Sequence, residues 1–219
     1  DPTKLNLVEE IKDVENTLSQ SRLEESRKII AMVASGQDIT EVFSPPRVVE
    51  AAKHMGLING ESMDLKTWWD FSKSSDRRRA IDYIKVHKPF IVIGSPPCTM
   101  FSVIQGLNQH KHCKAWNEEF QKRKKEAQQH IEFCVAIYKL QAASGRYWLH
   151  EHPYSTSSWN IKSINELLKM PGVIRVRGDQ CMFGLMTPTT DGDVAPAKKP
   201  TVFTTSSQRN SSRPPALRG

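Results

Sequence analysis

Cysteine is scarce in this 219-residue chain: Cys98, Cys113, Cys134 and Cys181 are widely separated, with no C-x-x-C pair. A disulfide framework is therefore excluded, and a reducing, intracellular setting is expected. No apolar run approaches the roughly 20 residues of a membrane span. Nothing near Asp1 has the succession of a signal peptide, so no membrane partner is expected. Internal repeats are absent, which excludes a solenoid. The HKHC stretch at 110–113 lacks a second ligand pair at zinc spacing, so no metal is expected. A zinc deaminase is excluded because no H-x-E precedes Cys98 and position 101 is Phe rather than Cys.

Positive charge is what the chain has in excess. The net charge is +7, and the cations cluster as Arg77-Arg78-Arg79, Lys122-Arg123-Lys124-Lys125 and Lys198-Lys199. Clusters of this kind suit a polyanion, because each phosphate neutralised releases counterions. They also serve as ordinary solvated helix faces.

Periodicity divides the chain into three parts. Residues 1–36 read as a helical segment, with Leu7, Ile11, Val14 and Leu18 followed by Leu23, Ile29, Ile30 and Val33, and with Gly36 as the stop. Residues 37–206 alternate between strand and helix. Strands are expected at 39–43, 62–65, 90–93, 146–153, 173–177 and 201–205. Helices are expected at 44–56, with Ser44 as N-cap and Pro45 and Pro46 in its first turn, and at 75–87, 118–144 and 162–169. The continuous Phe90-Ile91-Val92-Ile93 suggests burial on both faces, as in a parallel sheet. The Ser/Arg/Pro tail at 207–219 cannot bury enough apolar surface to fold, and with the start at Asp1 it suggests a processed piece. The fold class that follows is α/β, a mostly parallel sheet flanked by helices.

Ligands of such sheets bind beyond the carboxyl ends of the strands. Three strands end suggestively: in Ser44-Pro45-Pro46-Arg47, in Ser95-Pro96-Pro97-Cys98 and in His150-Glu151-His152-Pro153. Proline fixes φ and steers the residue before it away from helical geometry, so the Cys98 thiol is held on a stiff support. Cys98 reads as a nucleophile and Glu151 as its nearest acid. Trp68-Trp69 reads as core, or as a surface on which adenine or a base could stack.

The PPCTMFS stretch at 96–102 resembles the Pro-Pro-Cys-x-x-Phe-Ser signature of cytosine-C5 methyltransferases. A glutamate at the end of the next strand, after one long helix, matches as well. The segment also resembles the methyltransferase-like parts of some retroelement polyproteins. The resemblance, over residues 39–205, implies a Rossmann-like class I methyltransferase fold. It further implies S-adenosylmethionine as cofactor and nucleic acid as partner, DNA rather than RNA and nuclear rather than cytoplasmic. Cys98 and Glu151 would be catalytic. Phe43, Ser44, Arg47, Asp64, Asp70 and Pro96 would bind the cofactor, with Ser44, Arg47 and the following helix N-terminus holding its carboxylate. Ser102, Arg175 and Arg177 would face the nucleic acid.

The chain departs from the family where Ser44-Pro45-Pro46-Arg47 replaces a glycine-rich loop and where His152-Pro153 follows the glutamate. The interval from Asp64 to Asp70 is too short for a strand-helix-strand unit, and no separate target-recognition domain fits in what remains. Two other functions are compatible with the same residues: a catalytically silent fold that binds nucleic acid or a partner, and a thiol enzyme pairing Cys98 with His150 or His152.

Overall fold

In the computed structural model, residues 36–108 and 114–206 are described, together with 16, 17, 19, 20, 22 and 23, which are helical and exposed. The remainder of the expected N-terminal helices, the HKHC stretch with Cys113, and the tail from 207 lie outside the described residues.

The short segment Ile39–Val42 forms β1, the second strand from one edge of a six-stranded sheet. It pairs in parallel with β2 (Asn59–Met63) on one side and with β3 (Ile91–Gly94) on the other. β3 pairs in parallel with β4 (Tyr147–Pro153). β8 (Pro200–Thr205) is antiparallel to both of its neighbours, β4 and the edge strand β5 (Ile174–Asp179). The order is therefore β2-β1-β3-β4-β8-β5, with one reversed strand. A small antiparallel hairpin, β6 (Met186–Pro188) and β7 (Val194–Pro196), was not legible in the sequence.

Five helices accompany the sheet: α1 (Val48–His54), α2 (Ser74–His87), the short α3 (Val103–Asn108), the long α4 (Lys114–Ala143) and α5 (Lys162–Leu168). Register sorts the side chains onto two faces. Val42, Gly94 and His150 form one row, and Thr40, Val92 and Trp148 another. These residues point into the main core, which also takes Ala80 and Ile84 from α2, Ile131, Cys134 and Tyr138 from α4, and Ile164 and Leu167 from α5. The opposite face carries Ile39, Ile91 and Ile93, packed with Val49 and Ala52 of α1. Ile91 and Ile93 are only half-buried, so the expectation that β3 is covered on both faces is corrected.

The helix after β1 begins later than expected. Pro45 precedes a proline and is driven out of helical geometry, so the helix opens at Val48 with Arg47 as N-cap. The Ser44 hydroxyl does not cap it and donates instead to the Pro45 carbonyl at 3.0 Å. Buried Glu41 takes over that task. Its Oε1 accepts from the Arg47 amide at 3.2 Å and the Val49 amide at 2.5 Å. The second strand begins earlier than residue 62 because parallel pairing with Ile39 recruits the polar Asn59. The long helix starts at Lys114, before residue 118. Its far end is pinned by buried Gln141, whose Nε2 donates to the carbonyls of Pro89 and Tyr147, both at 2.9 Å, fixing α4 against the starts of β3 and β4.

At the last residue of β3 the backbone is approached so closely by α4 that only glycine fits. A Cβ on Gly94 would run into the Tyr138 hydroxyl and stand 3.3 Å from the Cys134 sulfur. Gly94→Ala is expected to cost about 1–3 kcal/mol through overpacking. Adding Tyr138→Phe, which removes the obstructing oxygen, should make the pair less destabilising than the sum of the single changes. Urea denaturation of the two single variants and the double measures this; strict additivity would contradict the contact.

Candidate active site

The order β2-β1-β3-β4 turns direction at β1, since β2 lies on one side of it and β3 on the other. The crevice at such a switch point, at the carboxyl ends of the strands, is where open α/β sheets place ligands. Phe43 and Ser44 follow β1, Asp64 follows β2, Ser95 to Cys98 follow β3, and Glu151 lies in β4 just past the last residue paired with β3. The strand ends are level: the Phe43 amide donates to Met63 at 2.8 Å and the Ser95 amide to Val42 at 3.0 Å.

Cys98 is partly exposed and stands at the start of a 3-10 turn, Thr99–Phe101. Its carbonyl accepts from the Phe101 amide at 2.9 Å. The loop beneath it is braced from β4. His152 Nε2 lies 3.1 Å from the Pro96 carbonyl, which can only accept, so Nε2 carries the proton. Nδ1 is then the acceptor, 2.6 Å from the Ser158 hydroxyl, which Thr156 in turn contacts. His150, one pleat away, shares a 3.0 Å hydrogen bond between its Nδ1 and the Tyr138 hydroxyl. Both imidazoles are almost wholly buried, and their bonds go to Tyr138, Ser158 and Pro96 rather than to Cys98. Burial holds His150 down to about 3, helped by the neighbouring His152, and holds His152 down to about 4. Neither imidazole is arranged as the base of a Cys/His pair.

Glu151 points to the other face of β4, in register with Phe203 of β8 and Val176 of β5. Burial raises its carboxyl above the usual range, against the opposing pull of the Lys199 charge and of hydrogen bonds from Gln180 and Ser95. Gln180 Nε2 bridges Glu151 Oε1 at 3.2 Å and Thr201 Oγ1 at 3.1 Å. Gln180, Lys199 and Ser95 were missed as site residues. Lys199 was visible only as part of a basic pair, and Gln180 reaches Glu151 only because β8 runs between β4 and β5.

The remaining residues divide clearly. Phe43 follows β1 with φ +58°, and its ring packs on Phe71 at 4.7 Å and His130 at 5.0 Å. Asp64 keeps one oxygen on the Lys66 amide at 3.0 Å. Asp70 is committed to its own turn: the Ser72 hydroxyl and amide and the Lys73 ammonium hold its carboxyl below the usual range. Pro96 is buried and serves through its carbonyl. Ser102 closes the 3-10 turn, its hydroxyl facing the Ile104 amide at 3.4 Å. Arg175 and Arg177 lie on the face opposite Glu151, over the rings of Trp159 at 4.5 Å and Tyr154 at 4.1 Å. The tryptophan pair splits: Trp69 is buried beneath Arg79, whereas Trp68, at φ +66°, is 88% exposed just beyond Asp64.

The α1 N-terminus is not open to a cofactor carboxylate, because Glu41 already occupies its amides. Among the described residues no group of acidic, histidine and cysteine side chains is arranged to hold a metal, and no helix is long and apolar enough to cross a membrane. Comparison of the chain with protein-family models, curated proteins and solved structures finds no match.

The neutral histidines set an acid limit on the site. Unfolded histidine takes up a proton near pH 6.5, whereas folded His152 does so at about 4 and His150 at about 3. Their contribution to stability is complete above pH 6.5 and is lost as the pH falls through those folded values. The raised Glu151 acts in the opposite sense, its contribution being lost as the pH rises. Thermal denaturation between pH 7.5 and 4.5 is expected to show a fall in stability for the wild type. A flatter profile is expected for His152→Gln, which keeps a donor for Pro96 without a titrating ring. Parallel profiles would contradict the assignment.

Proposed function

We propose that the protein is an S-adenosylmethionine-dependent methyltransferase of the cytosine-C5 kind, with a class I methyltransferase arrangement of its sheet. The observation that carries this reading is the pairing of Cys98 and Glu151. Cys98 lies in the loop after β3 and Glu151 near the end of its parallel neighbour β4, with the thiol partly exposed and burial raising the carboxyl above its usual range.

That pairing suits addition chemistry on a pyrimidine. The Cys98 sulfur, as thiolate, forms a bond to C6 of the cytosine. Glu151, favoured in its protonated form by burial, donates a hydrogen bond to N3 and so draws electron density out of the ring as the sulfur adds. C5 becomes nucleophilic; S-adenosylmethionine, when bound, would supply the methyl group and leave as S-adenosylhomocysteine. Loss of the C5 proton then reforms the double bond and expels Cys98. Gln180 and Lys199 orient the Glu151 carboxyl, and the prolines before Cys98 limit the freedom of the sulfur. A base within a duplex would have to be flipped out of the stack to reach it.

The residues fit the cofactor in part. Asp64, at the end of β2, has one oxygen outside its own turn and is placed for ribose hydroxyls, and exposed Trp68 stands next to it. The exposed Arg47 side chain is the cation left for a carboxylate. Phe43 closes the end of β1 between them. Asp70 has no oxygen to spare, and the helix N-terminus is taken. The Glu41 cap is the observation favouring the second reading, a methyltransferase-like fold that binds nucleic acid without turnover.

Calorimetry with S-adenosylmethionine separates the two. Weak but measurable binding is expected, reduced roughly tenfold by Arg47→Ala or Asp64→Ala, as loss of one or two hydrogen bonds implies. Asp70→Asn should bind as the wild type does. Methyl transfer from labelled cofactor to a cytosine oligonucleotide should vanish in Cys98→Ala. Failure of the wild type to bind the cofactor would overturn the enzymatic reading and leave the silent one.

A further inference from the structure

The cations of α2 and α4 are not scattered over separate faces. A cleft of about 530 Å³ separates the two helices, lined by Arg77, Arg78 and Lys85 from one and by Gln129 and Glu132 from the other. A second cleft, about 440 Å³, runs along α4 past Lys124, Lys125 and Gln128 and shares Gln129 and Glu132 with the first. A third, about 420 Å³, shares Lys124 and ends at Phe101, Ser102, Val103 and Asn160, against the 3-10 turn that Cys98 begins. The shared residues make the three one continuous groove from α2 to the Cys98 turn.

Its charge is poorly compensated from within. Arg79 pairs with Asp76 and Arg77 donates to the carbonyls of Phe71 and Ser72. Arg78, Lys85, Lys124 and Lys125 have no carboxylate within ion-pair distance among the described residues, although Asp82 and Glu132 also line the groove. Lys124 is half-buried, its stem packed in the groove and its charge left for an anion. Arg78 sits near the α2 N-terminus, where the helix dipole disfavours a cation. At the Cys98 end the lining changes to Met100, Val103 and Phe120, with Val103 67% exposed. Cations spaced along a groove that ends in apolar side chains match a phosphodiester backbone followed by an unstacked base.

We propose that this groove binds single-stranded nucleic acid, with phosphates on Arg78, Lys85, Lys124 and Lys125 and a base delivered toward Cys98. The clefts beside α4, one against α2 and one against the Cys98 turn, have the size for one strand rather than a duplex. The direction toward Cys98 rests on the function proposed above; the groove itself does not.

Fluorescence anisotropy with a labelled 20-nucleotide single strand, without cofactor, tests it on the full chain. The affinity should fall with salt at a log-log slope of about −3 for four phosphates, at ~0.7 per contact. Lys124→Ala/Lys125→Ala should weaken binding roughly tenfold and reduce the slope by about 1.4. Lys162→Ala/Lys169→Ala, which removes two cations outside the groove, should change neither. Equal losses from the two double variants would mean unspecific charge attraction and would overturn the groove, as would tighter binding of duplex than of single strand. Binding lost in the groove variant while calorimetry still detects the cofactor supports the groove. Intact wild-type binding with no methyl transfer sinks only the enzymatic reading.

Discussion

The hydrogen bond from His152 Nε2 to the Pro96 carbonyl ties β4 to the loop that follows β3. It forms in a nearly closed interior, where an unsatisfied carbonyl would be costly, so the loop is held at that point as firmly as the strand itself. Two consecutive prolines stiffen the next step, and Cys98 follows at once. The brace has its own support in Ser158 and Thr156, which fix the tautomer that makes Nε2 the donor. On the same face Gly94 lets Tyr138 press against the backbone, and the Tyr138 hydroxyl engages His150. The position of one thiol thus depends on the buried His152 of β4, whose ring packs beside that of His150.

The two faces of β4 divide the labour by the alternation of the strand. His150 and His152 point into the core and carry the load-transmitting bonds, while Glu151 between them points the other way. There it meets Gln180, feels the charge of Lys199 and keeps some exposure. Burial works on both kinds of group but with opposite consequences. It keeps the imidazoles neutral and therefore structural, and it favours the protonated form of the carboxyl, the form able to donate a hydrogen bond. Glu41, two strands away, shows how a buried acid acts when backbone amides surround it: it caps α1 and closes the helix N-terminus to other anions.

Much of this was legible in the sequence. Alternating strand and helix patterns, Gly145 at the end of α4 and the apolar run before Gly94 were enough to order β1, β3, α4 and β4. That order brought Cys98 and Glu151 to neighbouring strand ends. What escaped was set by tertiary contact. Ser44 looked like a helix cap because its type and position suit one, but Pro45 could not enter a helix and Glu41 reached the free amides first. Asp70 resembled a ligand acid, yet Ser72 two residues on encloses it. The roles of Gln180 and Lys199 depend on the reversed strand β8 lying between β4 and β5, a pairing that local patterns do not encode. His152 was visible as a departure from a motif and as a candidate base for Cys98; its use as a brace required the loop geometry.

The central claim is that Cys98 forms a covalent bond to a pyrimidine under the influence of Glu151. The most direct measurement uses an oligonucleotide in which cytosine carries fluorine at C5, incubated with the protein and S-adenosylmethionine and followed by mass spectrometry of digested protein. After addition and methyl transfer, fluorine cannot leave as a proton does, so the adduct should persist. The account predicts an adduct of oligonucleotide, methyl group and protein on the peptide containing Cys98, absent from Cys98→Ala and strongly reduced in Glu151→Gln. A folded wild-type protein that binds both cofactor and oligonucleotide yet yields no adduct, or one that yields it on another residue, would contradict the account.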